Sequence, residues 1–124
     1  MRVISTDRAP AAVGPYSQAV GRGELVLTSG QIGLDPFSGE LASGFDAQVA
    51  RALENLDAVL AAAGSRRDRV LKVTVYVTDM GRFVSLNEAY AEFFGSHRPA
   101  RSVVGVAALP KGAEVEIEAV AVVA

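Results

Sequence analysis

Residues 69–78 form an alternating run, with Leu71, Val73, Val75 and Val77 on one side and Lys72, Thr74, Tyr76 and Thr78 on the other. A period of two belongs to a strand, and the β-branched residues suit a pleated surface buried on one face. Asp79 follows at once as a helix cap, and Phe83, Leu86, Tyr90, Phe93 and Phe94 recur at helical spacing before Gly95. A strand leading directly into an amphipathic helix commits the chain to a layered fold in which helices cover a sheet.

Ahead of it, a second helix is expected from about Gly44 to Ala63. Its stripe is Phe45, Val49, Leu53, Leu56, Val59, Leu60 and Ala63, with a Ser43/Asp46 capping box and a stop at Gly64. Gln48, Arg51, Asn55 and Asp57 read as its solvated face. Two prolines and a glycine make residues 7–16 an ordered, non-helical lead-in that ends at Tyr16. Ser17 to Val20 and Glu24 to Ser29 then read as short strands joined by Gly21-Arg22-Gly23. At Ser29-Gly30 two readings stand: a plain strand-end turn, or a glycine that lets a backbone amide approach a ligand.

The C-terminal stretch from Pro99 to Ala119 reads as two strands around a Leu109-Pro110-Lys111-Gly112 turn. Arg101, Val103 and Gly105 share one face of the first strand, and Glu114, Glu116 and Glu118 share one face of the second. If those faces coincide in a hairpin, a fixed cation lies beside a carboxylate able to move protons; a salt-bridged surface is an equal reading. Like charges and partial burial both disfavour ionisation among the three glutamates. Glu114 and Glu118 are taken as solvent-facing. Val103 to Leu109 and Ala119 to Ala124 are apolar on both parities, so they look covered on both sides.

The expected architecture is therefore α+β, a single domain over residues 1–124 with one sheet and two helices on one face. Two helices cannot cover both faces, so another subunit is expected on the open one. The absence of cysteine removes disulfides, thiol nucleophiles and thiolate metal sites. The one histidine, His97, lies in a Gly/Pro-flanked loop and is expected to be exposed and idle; no metal site is expected. A net charge of -2 and the lack of a basic stripe argue against nucleic acid or an anionic membrane as partner. No apolar run reaches signal-peptide or membrane-spanning character, which makes the cytoplasm the expected location. Chemistry is left to Arg, Glu, Asp, Tyr, Ser, backbone amides and water. Asn87, on the edge of the second helix's stripe, needs a polar partner, whether structural or a ligand.

Several segments together resemble the RidA-like (YjgF-type) reactive intermediate deaminases over essentially the whole chain. They are Ala9-Pro-Ala-Ala-Val-Gly-Pro-Tyr-Ser-Gln-Ala19, Leu27-Thr-Ser-Gly-Gln31, Thr74-Val-Tyr-Val-Thr-Asp79, Asn87-x-x-Tyr90, Pro99-Ala-Arg-Ser102, Leu109-Pro-Lys111 and Glu116-Ile-Glu-Ala119. The resemblance implies a chorismate-mutase-like α+β fold, a homotrimer whose sheets form a central barrel, and sites in the clefts between subunits. It also implies hydrolysis of 2-iminopropanoate and 2-iminobutanoate to 2-keto acids and ammonia without a cofactor. By position, Arg101 resembles the family's carboxylate-binding arginine and Glu116 its acid/base glutamate. Tyr16, Ser29, Gly30 and Asn87 match pocket positions, with Tyr16 crossing from a neighbouring subunit. Val103 stands where many members have cysteine, and Arg98 where an aromatic residue is frequent, placing an extra cation at the rim. Two alternatives are a non-catalytic small-acid-binding or regulatory protein and the endoribonuclease-type activity ascribed to some relatives.

Overall fold

The computed structural model describes residues 1–124. Its strands are β1 (Arg2–Ile4), β2 (Ala19–Arg22), β3 (Leu25–Thr28), β4 (Val70–Val77), β5 (Ala100–Gly105) and β6 (Val115–Val122); its α-helices are α1 (Phe45–Ala62) and α2 (Phe83–Phe94). They form one sheet in the order β1-β2-β3-β6-β4-β5. Only β4 and β5 pair in parallel. Because β3 and β4 are both antiparallel to β6, they run the same way with β6 between them. The links β3–α1–β4 and β4–α2–β5 thus cross the sheet in the same direction, and right-handed crossovers of that kind place both helices on one side.

The core fills the space between helices and sheet. Val49, Leu53, Leu56 and Leu60 of α1 and Leu86, Tyr90 and Phe94 of α2 pack with Val26, Val73, Val75, Val77, Val115 and Ile117. The opposite sheet face carries no helix. There Val3, Leu25, Leu27 and Val104 are exposed, and Tyr76, Glu116, Glu118, Val120 and Val122 are half-buried. The α+β architecture with two helices on one face is as expected. No helix is long and apolar enough to cross a membrane.

Several local expectations are corrected. β1 was not anticipated: it is three residues long and pairs with β2 at the sheet edge, where Arg2 lies over Gly21. The β2–β3 turn is Gly23-Glu24, with Gly23 at φ 58°, and β2 begins at Ala19. The expected hairpin of the C-terminal strands does not form, because β4 lies between β5 and β6. The link between them arches over the end of β4, with Val106 N–H on Val77 O at 2.9 Å and Thr78 N–H on Glu114 O at 3.2 Å. A register shift between Val70 and Lys72 turns Leu71 outward, 50% exposed, so Val70 fills the core instead. α1 starts at an N-cap Gly44 with φ 89°, not with a Ser43/Asp46 box.

Two polar residues assigned to the solvated face of α1 are buried. Gln48 accepts from Glu114 N–H at 2.8 Å, and Asn55 Nδ2 donates to Ile32 O at 3.1 Å and Leu34 O at 2.9 Å. Gly33 allows this docking, since a Cβ there would lie 2.7 Å from the Gln48 Cα. His97 is half-buried and donates from Nε2 to Val70 O at 2.7 Å, with its ring against Phe94, so it is a structural tie and not idle. Asn55→Ala removes both ties to the 32–34 loop and should cost about 1–3 kcal/mol. The expected result is a fall in Tm of roughly 4–12 °C by calorimetry.

Candidate functional site

β3 leaves the ladder in a way that creates a cleft. Leu27 pairs with Val120, and the chain pairs again at Gln31 with Ile117, so four steps on one side match three on the other. The extra residue makes a bulge at Ser29-Gly30, a device that locally re-aims a strand. Thr28 Oγ1 accepts from Ala119 N–H at 3.0 Å, and Gln31 and Ile117 exchange backbone bonds of 2.8 and 2.9 Å on either side of it. Glu116 occupies the space that the bulge leaves. A Cβ at Gly30 would lie 2.5 Å from Glu116 Oε2, so glycine is required there for room and not for a positive φ.

The lead-in forms the other wall. Gln18 is buried and staples it: Nε2 donates to Thr6 O at 3.0 Å and Pro10 O at 2.8 Å, while Oε1 accepts from Thr6 N–H at 2.7 Å. Tyr16, 53% exposed, stands at its exit. Ser29 Oγ donates to Ser17 O at 2.5 Å, so its hydroxyl fixes the segment that carries Tyr16. The resulting cleft, of about 370 Å³, is lined by Tyr16, Gln18, Gly30, Gln31, Lys111 and Glu116 together with the 34–39 loop. Burial, followed by the like charge of Glu118, holds the Glu116 carboxyl above the ordinary carboxylate range.

Arg101 belongs to a second cluster on the helix side of the sheet. It pairs with buried Val73, and its guanidinium lies 4.8 Å from the Tyr90 ring centroid and 5.5 Å from that of Phe83. Nη1 donates to Asn87 Oδ1 at 2.8 Å. Every ion pair of the chain lies elsewhere, so this cation has aromatic faces and an amide around it but no carboxylate. Val103, two residues on, packs partly buried against the core. Tyr90 is itself buried and keeps its proton, burial being the main cause.

The expected site residues therefore divide into two groups. Tyr16, Gly30 and Glu116 share the open-face cleft with Ser29 beside it, while Arg101, Asn87 and Val103 lie on the helix side of edge strand β5. Arg101 is level with Ala119 and Glu116 with Val104. That separates them by three positions along the strands and two strands across, about 10 Å each way, on opposite faces. Gln18, Gln31 and Lys111 were not expected in the cleft. Lys111 had a signal in the Pro-Lys-Gly turn, where it adopts φ 59°; Gln18 and Gln31 lie within segments quoted above for the resemblance, but nothing in their local pattern marked them as buried polar groups. Glu114 and Glu118 are not simply solvent-facing: Gln48 bonds the first and Tyr76 Oη the second.

The model of the family described as Endoribonuclease L-PSP matches residues 6–123. A human protein named 2-iminobutanoate/2-iminopropanoate deaminase is 52% identical over 122 residues, covering 98% of this chain and 89% of that one. The crystal structure of RidA from an Antarctic Psychrobacter superposes with a TM-score of 0.97 at 47% identity, covering 99% and 100% of the two chains. That of Escherichia coli TdcF with bound serine gives 0.96 at 44% identity, covering 100% of both.

The raised Glu116 carboxyl has a consequence for stability. The folded state binds this proton more tightly than the unfolded chain does, so its contribution is complete below the ordinary glutamate range and is lost as pH rises toward the folded value. Glu116→Gln cannot ionise and escapes the loss. By calorimetry its Tm should match wild type at about pH 4 and exceed it by roughly 1–3 °C at pH 8; an equal or lower value at pH 8 contradicts the desolvation account.

Proposed function

This chain belongs to the Endoribonuclease L-PSP family, and we propose that it hydrolyses reactive 2-imino acids such as 2-iminopropanoate and 2-iminobutanoate to 2-keto acids and ammonia. One observation carries this reading above the others. The chain holds a half-buried guanidinium with no anion of its own, and separately a carboxyl whose proton is held more tightly than in an ordinary glutamate, burial being the main cause. A 2-imino acid presents the complement of both, a carboxylate and a basic nitrogen on adjacent carbons.

Arg101 takes the substrate carboxylate through a two-pronged contact, with Asn87 and the aromatic rings fixing the plane of the guanidinium. Glu116 gives its proton to the imine nitrogen, which makes C2 electrophilic. Water then adds to C2 while the Glu116 carboxylate takes up the proton it loses. The carbinolamine that forms is protonated on nitrogen by the same carboxyl. Its C–N bond breaks, ammonia leaves, and the hydroxyl proton passes to the Glu116 carboxylate as the keto group forms, which restores the carboxyl for the next turnover. Gly30, whose N–H is taken up by no acceptor of the chain, lines the same cleft and suits the attacking oxygen. No cofactor is needed, because a protonated imine requires only positioning and proton transfer.

One copy of the chain does not bring Arg101 to Glu116, so the working site joins two copies. We read the assembly as a homotrimer in which the helix-free faces turn inward and the Arg101 side of one subunit closes on the Glu116 cleft of the next. The exposed Val3, Leu25, Leu27 and Val104 support this reading, being apolar surface of the kind that a partner covers. Residues 1–124 serve as a single domain, and the expected setting is the cytoplasm. The family's description names a ribonuclease, but the short basic run Arg66-Arg67-Asp68-Arg69 is interrupted and two of its three arginines are paired: Arg66 with Asp68 at 2.7 Å and Arg67 with Asp57 at 3.0 Å. A nucleic-acid partner is not part of the proposal.

The test couples an imine-generating amino-acid oxidase or dehydratase to keto-acid detection. Wild type should accelerate keto-acid release, and Arg101→Ala should lose roughly 100-fold or more in kcat/KM. Saturable 2-keto-acid binding with no rate effect would instead make the cleft that of a binder. Arg101→Ala and Glu116→Gln, each inactive, should regain about a quarter of wild-type activity when refolded together in equal amounts, since one site in four then has both residues. No recovery excludes a shared site.

A further inference from the structure

Glu116 does not stand alone on the open face. Glu118 projects from the same side of β6 two residues on, about 7 Å along the strand. Directly across from Glu116 on β4 is Tyr76, whose hydroxyl donates to Glu118 Oε1 at 2.5 Å and not to Glu116. The three side chains form a group in which one carboxyl has a hydroxyl donor and the other has none. We propose that Tyr76 and Glu118 act as a positioning pair for Glu116: the tyrosine fixes the negative charge on Glu118, so that the proton of the carboxyl couple rests on Glu116, facing the cleft.

The physical basis is an asymmetry between like groups. Two neighbouring carboxyls resist ionising together, and the one with a hydrogen-bond donor ionises first. Charge-assisted O–H···O⁻ bonds are short and strong, as the 2.5 Å separation is. The tyrosine's own proton is held more tightly by this bond, then by burial. The other charged or titratable groups around Glu116 do not reverse the arrangement. Lys111 and Asp35 line the cleft but carry opposite charges, and Tyr16 is largely exposed. Lys72, further along β4, is occupied with Thr74 Oγ1 at 3.2 Å. Arg101 of the same copy lies on the other face. That of the neighbouring copy, which the proposed assembly brings to the cleft, is common to every variant compared below and so leaves the differences between them unchanged.

The inference rests on the proposed role of Glu116 but is tested apart from it. Carbon-detected NMR titration of the glutamate carboxyls, with the Glu116 signal assigned by its loss in Glu116→Gln, reads the proton directly in wild type, Glu118→Gln, Glu118→Asp and Tyr76→Phe. Glu118→Gln should lower the Glu116 midpoint by about one pH unit, the effect of removing one charge at this separation. Tyr76→Phe should lower it by less, and Glu118→Asp, which keeps the charge, should stay near wild type. The alkaline limb of kcat/KM should move with the midpoint. A Glu116 midpoint unmoved in both Glu118→Gln and Tyr76→Phe overturns the inference, and the second variant decides if the first does not fold. A midpoint that moves while no imine is hydrolysed leaves the pairing standing and removes the assigned reaction.

Discussion

The structure depends on β6 having a hydrogen-bonded neighbour on each edge. With β3 on one side and β4 on the other, β6 becomes an interior strand, and that position requires Val115, Ile117, Ala119 and Ala121 to face the helices. The side-chain period of two then forces Glu116 and Glu118 onto the helix-free face. The same insertion keeps β5 at the sheet edge and excludes a β5–β6 hairpin. Arg101 pairs with the inward-facing Val73, so the parity that sends Glu116 outward sends Arg101 toward α2. The separation of the two charged groups follows from strand order and needs no special device.

Around Glu116 the fold gives up some stability. An interior strand favours a continuous ladder, yet β3 ends at Thr28, the ladder is interrupted for Ser29 and Gly30, and it resumes at Gln31. The ends of the break are well secured, by Thr28 Oγ1 on one side and by the Gln31–Ile117 pair on the other, so the bulge is a fixed feature of the sheet. The carboxyl in that space is desolvated and lies near another carboxyl. Both conditions make its ionised form costly, and a core-forming substitution would remove that cost. Irregular backbone and an uncomfortable carboxyl in one place mark this part of the sheet as shaped by chemistry more than by packing.

How far the sequence revealed this depends on the distance between interacting residues. β4, α1 and α2 were legible because their signal is a period within a single segment. The Pro110–Gly112 turn was legible as a turn, but local chemistry does not say on which edge the next strand docks. The hairpin argument that placed Arg101 beside Glu116 fails for that reason. Asn55 and Gln48 looked solvated because their partners, Ile32, Leu34 and Glu114, belong to loops distant in the chain. The bulge is a mismatch of register between strands some ninety residues apart, and neither strand contains it alone. The family resemblance drew attention to Gly30 and Glu116, and the fold supplied the steric reason that they adjoin.

Arg101 carries the argument beyond one chain. A guanidinium seated on two aromatic rings with a single amide acceptor is well placed but poorly neutralised, and a cation in that state gains most from a planar anion that fills its free donors. Nothing on its own face provides one. On the opposite face a protonatable carboxyl stands in a cleft that lacks a fixed cation at its centre, Lys111 being exposed at the edge. Each half thus lacks what the other holds, and the topology prevents one copy from joining them. On the reading that two copies do so, assembly and activity are a single property: one subunit carries both sets of residues, yet contains no complete site.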